Sequence, residues 1–574
     1  MSKILKIFVS YWWQIILLLG GLCLQVFSSL SLPDIMSDII NNGIGKSDMD
    51  YVWAEGFRML GIVLIGMVGM VIAGFFASRI ATGFAAKLRE ALFRHILSFS
   101  VDEIDRFSTA SLITRTTNDI TSLQQTLVMV LRMSLQAPLM AVGAISMALA
   151  TAPSMAWIIG LVVSVLVVLI VVIIVVGMPK FRLTQQLNDK LNQVARENLT
   201  GLRVVRAFNN EDYEEKKFQR ANTEVAKVNL FTSRLMVTMM PVVQFAISGA
   251  ALLIVWVGAN LVAESVIGLG EIVAFMQYAT QVMMSFMFLA MAFILIPRAL
   301  VSIKRVGEVL KTSPSIKFKD EPTKTADESG LEFHKVSFSY KNAEKPVLEN
   351  VSFKAEKGKI TAIIGSTGSG KSTIVNLIPR FYDVSEGEIL LDGVNIKNFS
   401  KDDLMARIGL VPQKALLFSG TIESNIKYGA PNISDKQLRE AARIAAASEF
   451  IEKLDKKYRS RVSQSGSNFS GGQKQRLSIA RAIAKNPEVY VFDDSFSALD
   501  YKTDSQVRAN LKEVTENSAV IIVAQRVSTI RHADQIIVLE NGKTVGIGTH
   551  AELMKKCDVY KEIALSQLSE KELK

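Results

Sequence analysis

The 574-residue chain has two cysteines, Cys23 inside an apolar run and Cys557 near the polar C-terminus. Two thiols in such different surroundings exclude a disulfide framework, and nothing here calls for an oxidising compartment. A small-x-small cleavage site is also lacking after the first apolar run. That run, Tyr11 to Leu32, follows Lys3 and Lys6. It is too long for a signal-peptide core and reads as a retained membrane span. Basic residues are scarce in three stretches. Only Lys46 lies between Leu32 and Phe57, and the connections 150–155 and 262–270 have no Lys or Arg. The segment after the second apolar run carries Arg79, Lys87, Arg89, Arg94, Arg106 and Arg115. The segment after the fourth carries Lys180, Arg182, Lys190, Arg196, Arg203 and Arg206. This one-sided distribution places those two segments and both termini in the cytoplasm. A net charge of +11 would by itself suggest nucleic acid. Its distribution points instead to basic cytoplasmic loops beside a lipid bilayer, and no nucleic-acid partner is expected.

Apolar residues are plentiful. They make up 49% of the chain, the mean hydropathy is +0.28, and they concentrate in the first half. Runs at about 11–32, 57–80, 127–150, 155–178, 236–262 and 270–297 are each long enough for a helix across roughly 30 Å of hydrocarbon. The expectation is a membrane bundle of six transmembrane helices in residues 1–310. The two basic segments are each roughly fifty residues, longer than a bundle turn needs, so the helices should continue into the cytoplasm. Each is broken once, at 98–107 and at 207–213. These breaks read either as solvated tips or as short helices that dock on another domain. The sixth run holds Met276, Met283, Met284, Met287 and Met291, which suit an adaptable binding cavity or plain lipid-facing packing. Gln277 and Gln281, four apart, should face the bundle interior. The outer loop is acidic, with Asp34, Asp38, Asp48, Asp50 and Glu55.

From 311 to 329 the composition turns polar, with Pro314, Pro322, Asp327, Glu328 and Ser329, and reads as a linker. Residues 330–574 alternate strand-like and helical segments, an α/β domain. At its centre stands Gly365-Ser366-Thr367-Gly368-Ser369-Gly370-Lys371-Ser372-Thr373. It follows an apolar strand, opens a helix and fits the phosphate-loop pattern. The glycines let the backbone approach a phosphate, Lys371 would reach the β/γ-phosphates, and the Ser372 hydroxyl would sit on Mg²⁺. Val489 to Asp493 is an apolar strand ending in a carboxylate, the expected Mg²⁺ partner of Ser372. Gln413, after the strand Ile408 to Pro412, would reach Mg²⁺ or the attacking water. Tyr340 offers a ring to a purine. Ser470-Gly471-Gly472-Gln473 opens a helix and forms a second anion-facing element.

These elements, with Ser497-Ala498-Leu499-Asp500, resemble the ATP-binding cassette set in the family's order. With the apolar half first, the whole chain resembles an ABC exporter half-transporter of the multidrug type. The resemblance implies ATP and Mg²⁺ as cofactors. It implies a head-to-tail pair of nucleotide domains, with ATP between one chain's phosphate loop and the other's signature Ser-Gly-Gly-Gln. It also implies that the breaks near 98–107 and 207–213 are coupling helices. Two expected residues are missing. Where the family has a catalytic Glu, Asp494 follows Asp493; where it has a His on the γ-phosphate, Gln525 stands. Asp is shorter by one methylene, about 1.5 Å, and a misplacement near 1 Å can cost on the order of 10²-fold. Gln carries no proton to share in the transition state. The chain thus resembles the degenerate-site subunit of heterodimeric bacterial exporters, whose intact signature would complete the partner's site. The implied cargo is a small amphipathic or drug-like compound moved out across the plasma membrane. Lipid or peptide export, import on the same fold, and a nucleotide-gated regulatory protein are the alternatives.

Overall fold

The computed structural model describes residues 2–319, 321, 330–341 and 343–567; the linker positions 322–329, with Pro322, Asp327, Glu328 and Ser329, lie outside them. Contacts divide the chain into two units, Met1–Leu97 with Phe107–Thr312, and Ser98–Arg106 with Ser313–Lys574. The first break, 98–106, therefore belongs with the second unit rather than with the bundle residues around it.

The first unit is helical. Among the described residues, five helices are long and apolar enough to cross a bilayer: Trp12–Ile44, Met49–Ile96, Thr109–Thr151, Glu211–Ala263 and Leu269–Ala292. A shorter apolar helix covers Pro153–Leu169. The expected fourth span, 155–178, falls on the helix Ala156–Val172 and a looser π-helical stretch, Ile173–Gly177. Small residues set the first helix pair close together. A Cβ on Gly21 would come within 2.8 Å of the Gly69 carbonyl, and Ser28 donates to the Ile62 carbonyl at 2.7 Å. Close approach through small residues and hydroxyl bonds is how helices associate where lipid offers no hydrophobic drive. Tyr278 and Gln281 tie the last long helix to the first, donating to the carbonyls of Leu30 and Ser29 at 3.0 and 2.9 Å. Gln281 thus faces the bundle, together with Gln277, Met276 and Met283 around one cavity. Met284 and Met291 are exposed, so the methionines do not share one role.

The second unit holds two sheets. A six-stranded sheet runs Lys543–Gly548, Gln535–Glu540, Ile360–Gly365, Ala519–Val523, Val489–Asp493, Ile408–Val411. All its pairings are parallel except the one between the first two strands. Its central strands are nearly unbroken Val, Ile and Ala because helices or a second sheet cover both faces. The antiparallel sheet has the order Leu348–Ala355, Leu331–Phe338, Glu386–Leu391, Val394–Asn395. Its apolar face shares a core with Ile363, Val491 and Ile521. The other core joins the helices Asp435–Ile444 and Gly471–Lys485 to the opposite sheet face.

The two breaks differ. Val101–Phe107 is a short helix, and its acidic residues are tied down. Glu103 accepts from the backbone N–H of Ser100 and of Ser315 at 3.0 and 3.2 Å and from the Ser100 hydroxyl. Asp102 pairs with Lys341 at 2.8 Å. The second short helix, Leu202–Ala207, comes earlier than the expected 207–213. Phe208 and Tyr213 beyond it are 78% and 62% exposed.

Candidate nucleotide-binding site

Register places the site. Val523 pairs with both Ile363 and Asp493, and Val411 with Phe492. The C-terminal ends of four parallel strands therefore lie in one row. From that row emerge the phosphate loop, Asp493-Asp494, Gln525 and Gln413, at the edge where open α/β sheets bind ligands. Gly370 sits at φ +98° as the residue before the helix Lys371–Leu377, a left-handed turn that glycine adopts without strain. A Cβ on Gly365 would run into the Leu539 carbonyl. Ser366, Thr367, Gly368 and Ser372 are exposed, while Ser369, Gly370 and Thr373 are buried.

Lys371 folds back on its own loop. Its ammonium donates to the carbonyls of Gly365 and Ser366 at 2.8 and 2.7 Å and to Ser369 at 3.4 Å. Burial lowers its pKa, with Asp494 and Asp493 opposing. Burial likewise raises the Asp493 carboxyl, Asp494 adds to the rise, and Lys371 opposes it. For both groups desolvation outweighs the facing charge. The ammonium lacks a full anionic partner and the carboxylate a full cationic one. A polyphosphate at the loop and a divalent cation at Asp493 would supply those charges, so these residues fit ATP with Mg²⁺. Ser372, Asp493 and the carbonyl oxygen of the Gln413 side chain would hold the cation.

The departures sit in this row. Asp494 adopts φ +45°, which Asp tolerates better than most residues. Its N–H donates to the Val523 carbonyl at 2.8 Å, and its carboxylate accepts from the Gln413 side-chain amide at 3.2 Å. Gln525 is exposed. Tyr340 comes to the same place: its hydroxyl lies 3.2 Å from that of Thr373, and its ring meets Phe338 and Tyr382 edge-on at 4.8 and 5.3 Å.

The signature residues lie elsewhere. Ser470 caps the helix Gly471–Lys485, its hydroxyl and the Gln473 side chain closing a reciprocal pair. Gly471 is exposed and a Cβ there would meet nothing within 4 Å; at Gly472 it would come within 3.2 Å of the Ala498 carbonyl. Asp500 caps the next helix, accepting from Thr503 N–H and hydroxyl at 3.0 and 2.7 Å. Among the described residues no hydrogen bond joins residues 470–473 to the phosphate loop. The structure thus gathers Tyr340, 365–373, Gln413, Asp493, Asp494 and Gln525, and leaves the signature and Asp500 apart.

Two contributors escaped sequence reasoning. Gln567 donates to the Gln525 carbonyl and accepts from Val527 N–H, both at 2.8 Å, clamping the turn that carries Gln525. A lone Gln near a C-terminus gives no signal of that. Lys341, next to Tyr340, binds Asp102 some 240 positions away, a pairing that charge pattern alone does not reveal.

The ABC transporter transmembrane region family matches residues 13–286, and the ABC transporter family of nucleotide domains matches residues 348–497. An uncharacterized ABC transporter ATP-binding protein of Mycobacterium tuberculosis is 39% identical, over 95% of this chain and 94% of its own. The ATP-dependent lipid A-core flippase of Hahella chejuensis is 30% identical, over 90% and 89%. A bacterial Atm1-family ABC exporter solved with ATP bound superposes with a TM-score of 0.78 at 24% identity, over 98% and 99%; that likeness speaks to the fold.

Proposed function

This chain belongs to the ABC transporter family, a half-transporter with an exporter-type fold and an ATP-binding domain, and on that footing we propose that it is one half of a heterodimeric exporter. In this reading residues 1–310 form the transmembrane domain, with the shorter helix at Pro153–Leu169 counted as a sixth span. Residues 311–329 link it to the nucleotide domain, 330–574. The assembly lies in the plasma membrane and moves amphipathic or drug-like compounds outward by alternating access. The lipid reading gains weight from the flippase at 30% identity.

The chain's own site would bind ATP with Mg²⁺ and turn it over slowly. Tyr340 stacks on the base, residues 365–373 enclose the phosphates, and Lys371 swings from its loop carbonyls to the β/γ oxygens. Mg²⁺ supplies charge neutralisation on the transferring phosphoryl group. The observation that carries the reading is Asp494: one methylene short and bound to Gln413, it is poorly placed to orient water on that group, and Gln525 brings no proton. The exposed Ser470-Gly471-Gly472-Gln473 turn and Asp500 would complete the partner's site. Purified alone, the chain should bind ATP yet hydrolyse it far below the roughly 1–100 s⁻¹ of efficient phosphoryl-transfer enzymes. Co-purification with a second, different half-transporter should restore turnover. Efficient hydrolysis by this chain alone would refute the degenerate-site reading.

A further inference from the structure

The turn that carries Gln525 is finished from the far end of the chain. It leaves the strand Ala519–Val523 and leads into a four-residue helix, Val527–Ile530. Arg526, the residue before that helix, makes no capping bond with its side chain. Gln567, the last residue of the helix Asp558–Gln567, supplies the cap instead. Its side-chain oxygen accepts from Val527 N–H and its amide donates to the Gln525 carbonyl, both at 2.8 Å. One side-chain amide thus takes up two backbone groups that would otherwise go to water.

The clamp acts where position counts. Val523 pairs with Ile363 on one side and with Asp493 on the other, and Ala524 N–H donates to the Ile363 carbonyl at 3.1 Å. Carried two residues on, that register sets Gln525 level with Gly365 and Ser495, between the phosphate loop and Asp494. Its side chain is exposed there. The C-terminal helix does not need Gln567 to stay docked. Tyr560 and Ala564 are buried in the core that also holds Val527 and Ile530, whereas Gln567 is exposed. Arg508 holds the other end of the short helix, donating to the Thr529 carbonyl at 3.0 Å. Cutting the two Gln567 bonds therefore frees residues 525–527 and leaves the packing in place.

We propose that Gln567 is a positioning residue for the terminal phosphate: by fixing the Gln525 backbone it aims the Gln525 amide at that group, and so sets the site's preference for a nucleoside triphosphate over a diphosphate. The proposal rests on the reading of this row as an ATP site. In that site Lys371 and Asp493 gather the phosphates and the cation, so the last phosphate lies towards Asp494, in the gap that Gln525 borders. A diphosphate ends one group short of it. One hydrogen bond to an anionic oxygen counts for roughly tenfold in affinity, provided the donor is held within about 0.5 Å of its place. On an unclamped turn much of that gain is lost to ordering the segment.

The test uses the full chain co-purified with its partner, on ice and with Mg²⁺. Radiolabelled azido-ATP is crosslinked by light and the two subunits are separated on a gel. The label on this chain is competed with AMP-PNP, a poorly hydrolysed triphosphate, or with ADP. AMP-PNP should displace it at about tenfold lower concentration than ADP. Gln567→Ala should cut that ratio several-fold through AMP-PNP alone, with ADP competing as before. Gln567→Glu keeps an acceptor for Val527 N–H but no donor for the Gln525 carbonyl. It should cut the ratio as much, and it carries the test if the alanine variant does not assemble. In a Gln525→Ala background, which itself lowers the ratio, Gln567→Ala should add nothing. Ser566→Ala, which removes a bond to the Ile563 carbonyl, should leave the ratio intact. A ratio that survives both Gln567 variants overturns the proposal, as does a parallel loss of both nucleotides, which marks a purely structural role. Equal competition by the two nucleotides in the wild type overturns it too. No labelling of this chain at all would bring down the ATP-site reading together with the clamp, whereas labelling with an unchanged ratio refutes the clamp alone.

Discussion

The phosphate loop and the signature turn both present backbone N–H groups at a helix start, but they are finished differently. Around the phosphate loop, burial leaves Lys371 and Asp493 short of counter-charge, and a neighbouring carboxylate, Asp494, is engaged by Gln413. At the signature turn, Ser470 and Gln473 satisfy each other and Gly471 faces open space. The first element is incomplete without a ligand. The second is complete in itself and has its exposed face free for something outside the chain. If the two serve different sites in a heterodimer, damaging them should not be equivalent.

The largest effect should come from the signature. Gly471→Glu puts a carboxylate where phosphate would sit, and the open space there means the fold is not disturbed. In the assembled pair, ATPase activity should fall on the order of 10²-fold, the scale of losing a key transition-state contact. Lys371→Ala should lower nucleotide binding at this chain's own site while leaving much of the turnover. Equal losses would erase the distinction between the two elements.

Repair is the converse experiment. Asp494→Glu restores reach and Gln525→His restores a proton donor. Both act on one water and one phosphate, so their effects should be non-additive. With the partner's catalytic Glu removed, either change alone should gain little. The double change should raise hydrolysis by about tenfold or more, towards the roughly 10²-fold that a 1 Å error can cost, provided the partner's signature is intact. No gain even after that signature is also repaired would place the defect elsewhere.

The nucleotide site was largely legible because its chemistry depends on residue types at fixed spacing. Strand, glycine loop, lysine and terminal carboxylate each left a local mark, and the sheet register brings them into one row. The membrane half was less legible. Apolar runs located helices, but they gave no sign of the π-helical stretch at Ile173–Gly177, nor that Leu202–Ala207 precedes the visible break. The approach of Gly21 to Gly69 arises from packing between distant segments, which a single sequence does not show.

The two short cytoplasmic helices extend the comparison. Val101–Phe107 is held by ion pair and hydrogen bonds, whereas Phe208 and Tyr213 are bare. Phe208→Ala should leave the stability of the isolated chain within about 0.5 kcal/mol, as for ordinary surface changes. It should still lower recovery of the partner in co-purification several-fold, because an exposed aromatic beside a short helix is suited to a pocket on another subunit. Unchanged recovery would make 208–213 a solvated tip.

Glu103 should give the smallest and most local effect. Burial alone would push its carboxyl up, but hydrogen bonds from Ser100 and Ser315 outweigh that and hold it below the ordinary carboxylate value of 4.5. A depressed folded-state pKa contributes stability that is present above about pH 4.5 and disappears as pH falls through the lower, folded value. Hydrogen exchange of residues 98–106 should therefore show no change in opening free energy between pH 7 and 5, after correction for intrinsic rates, and a loss below 4.5. Glu103→Gln keeps the shape but removes the charge-assisted bonds, costing about 1–3 kcal/mol of local protection. Asp102 and Asp105 lie on the same short helix, so the informative quantity is the difference between wild type and variant. It should be constant above pH 5 and shrink below 4.5. A difference that persists at low pH would mean that shape, not the Glu103 charge, anchors this helix.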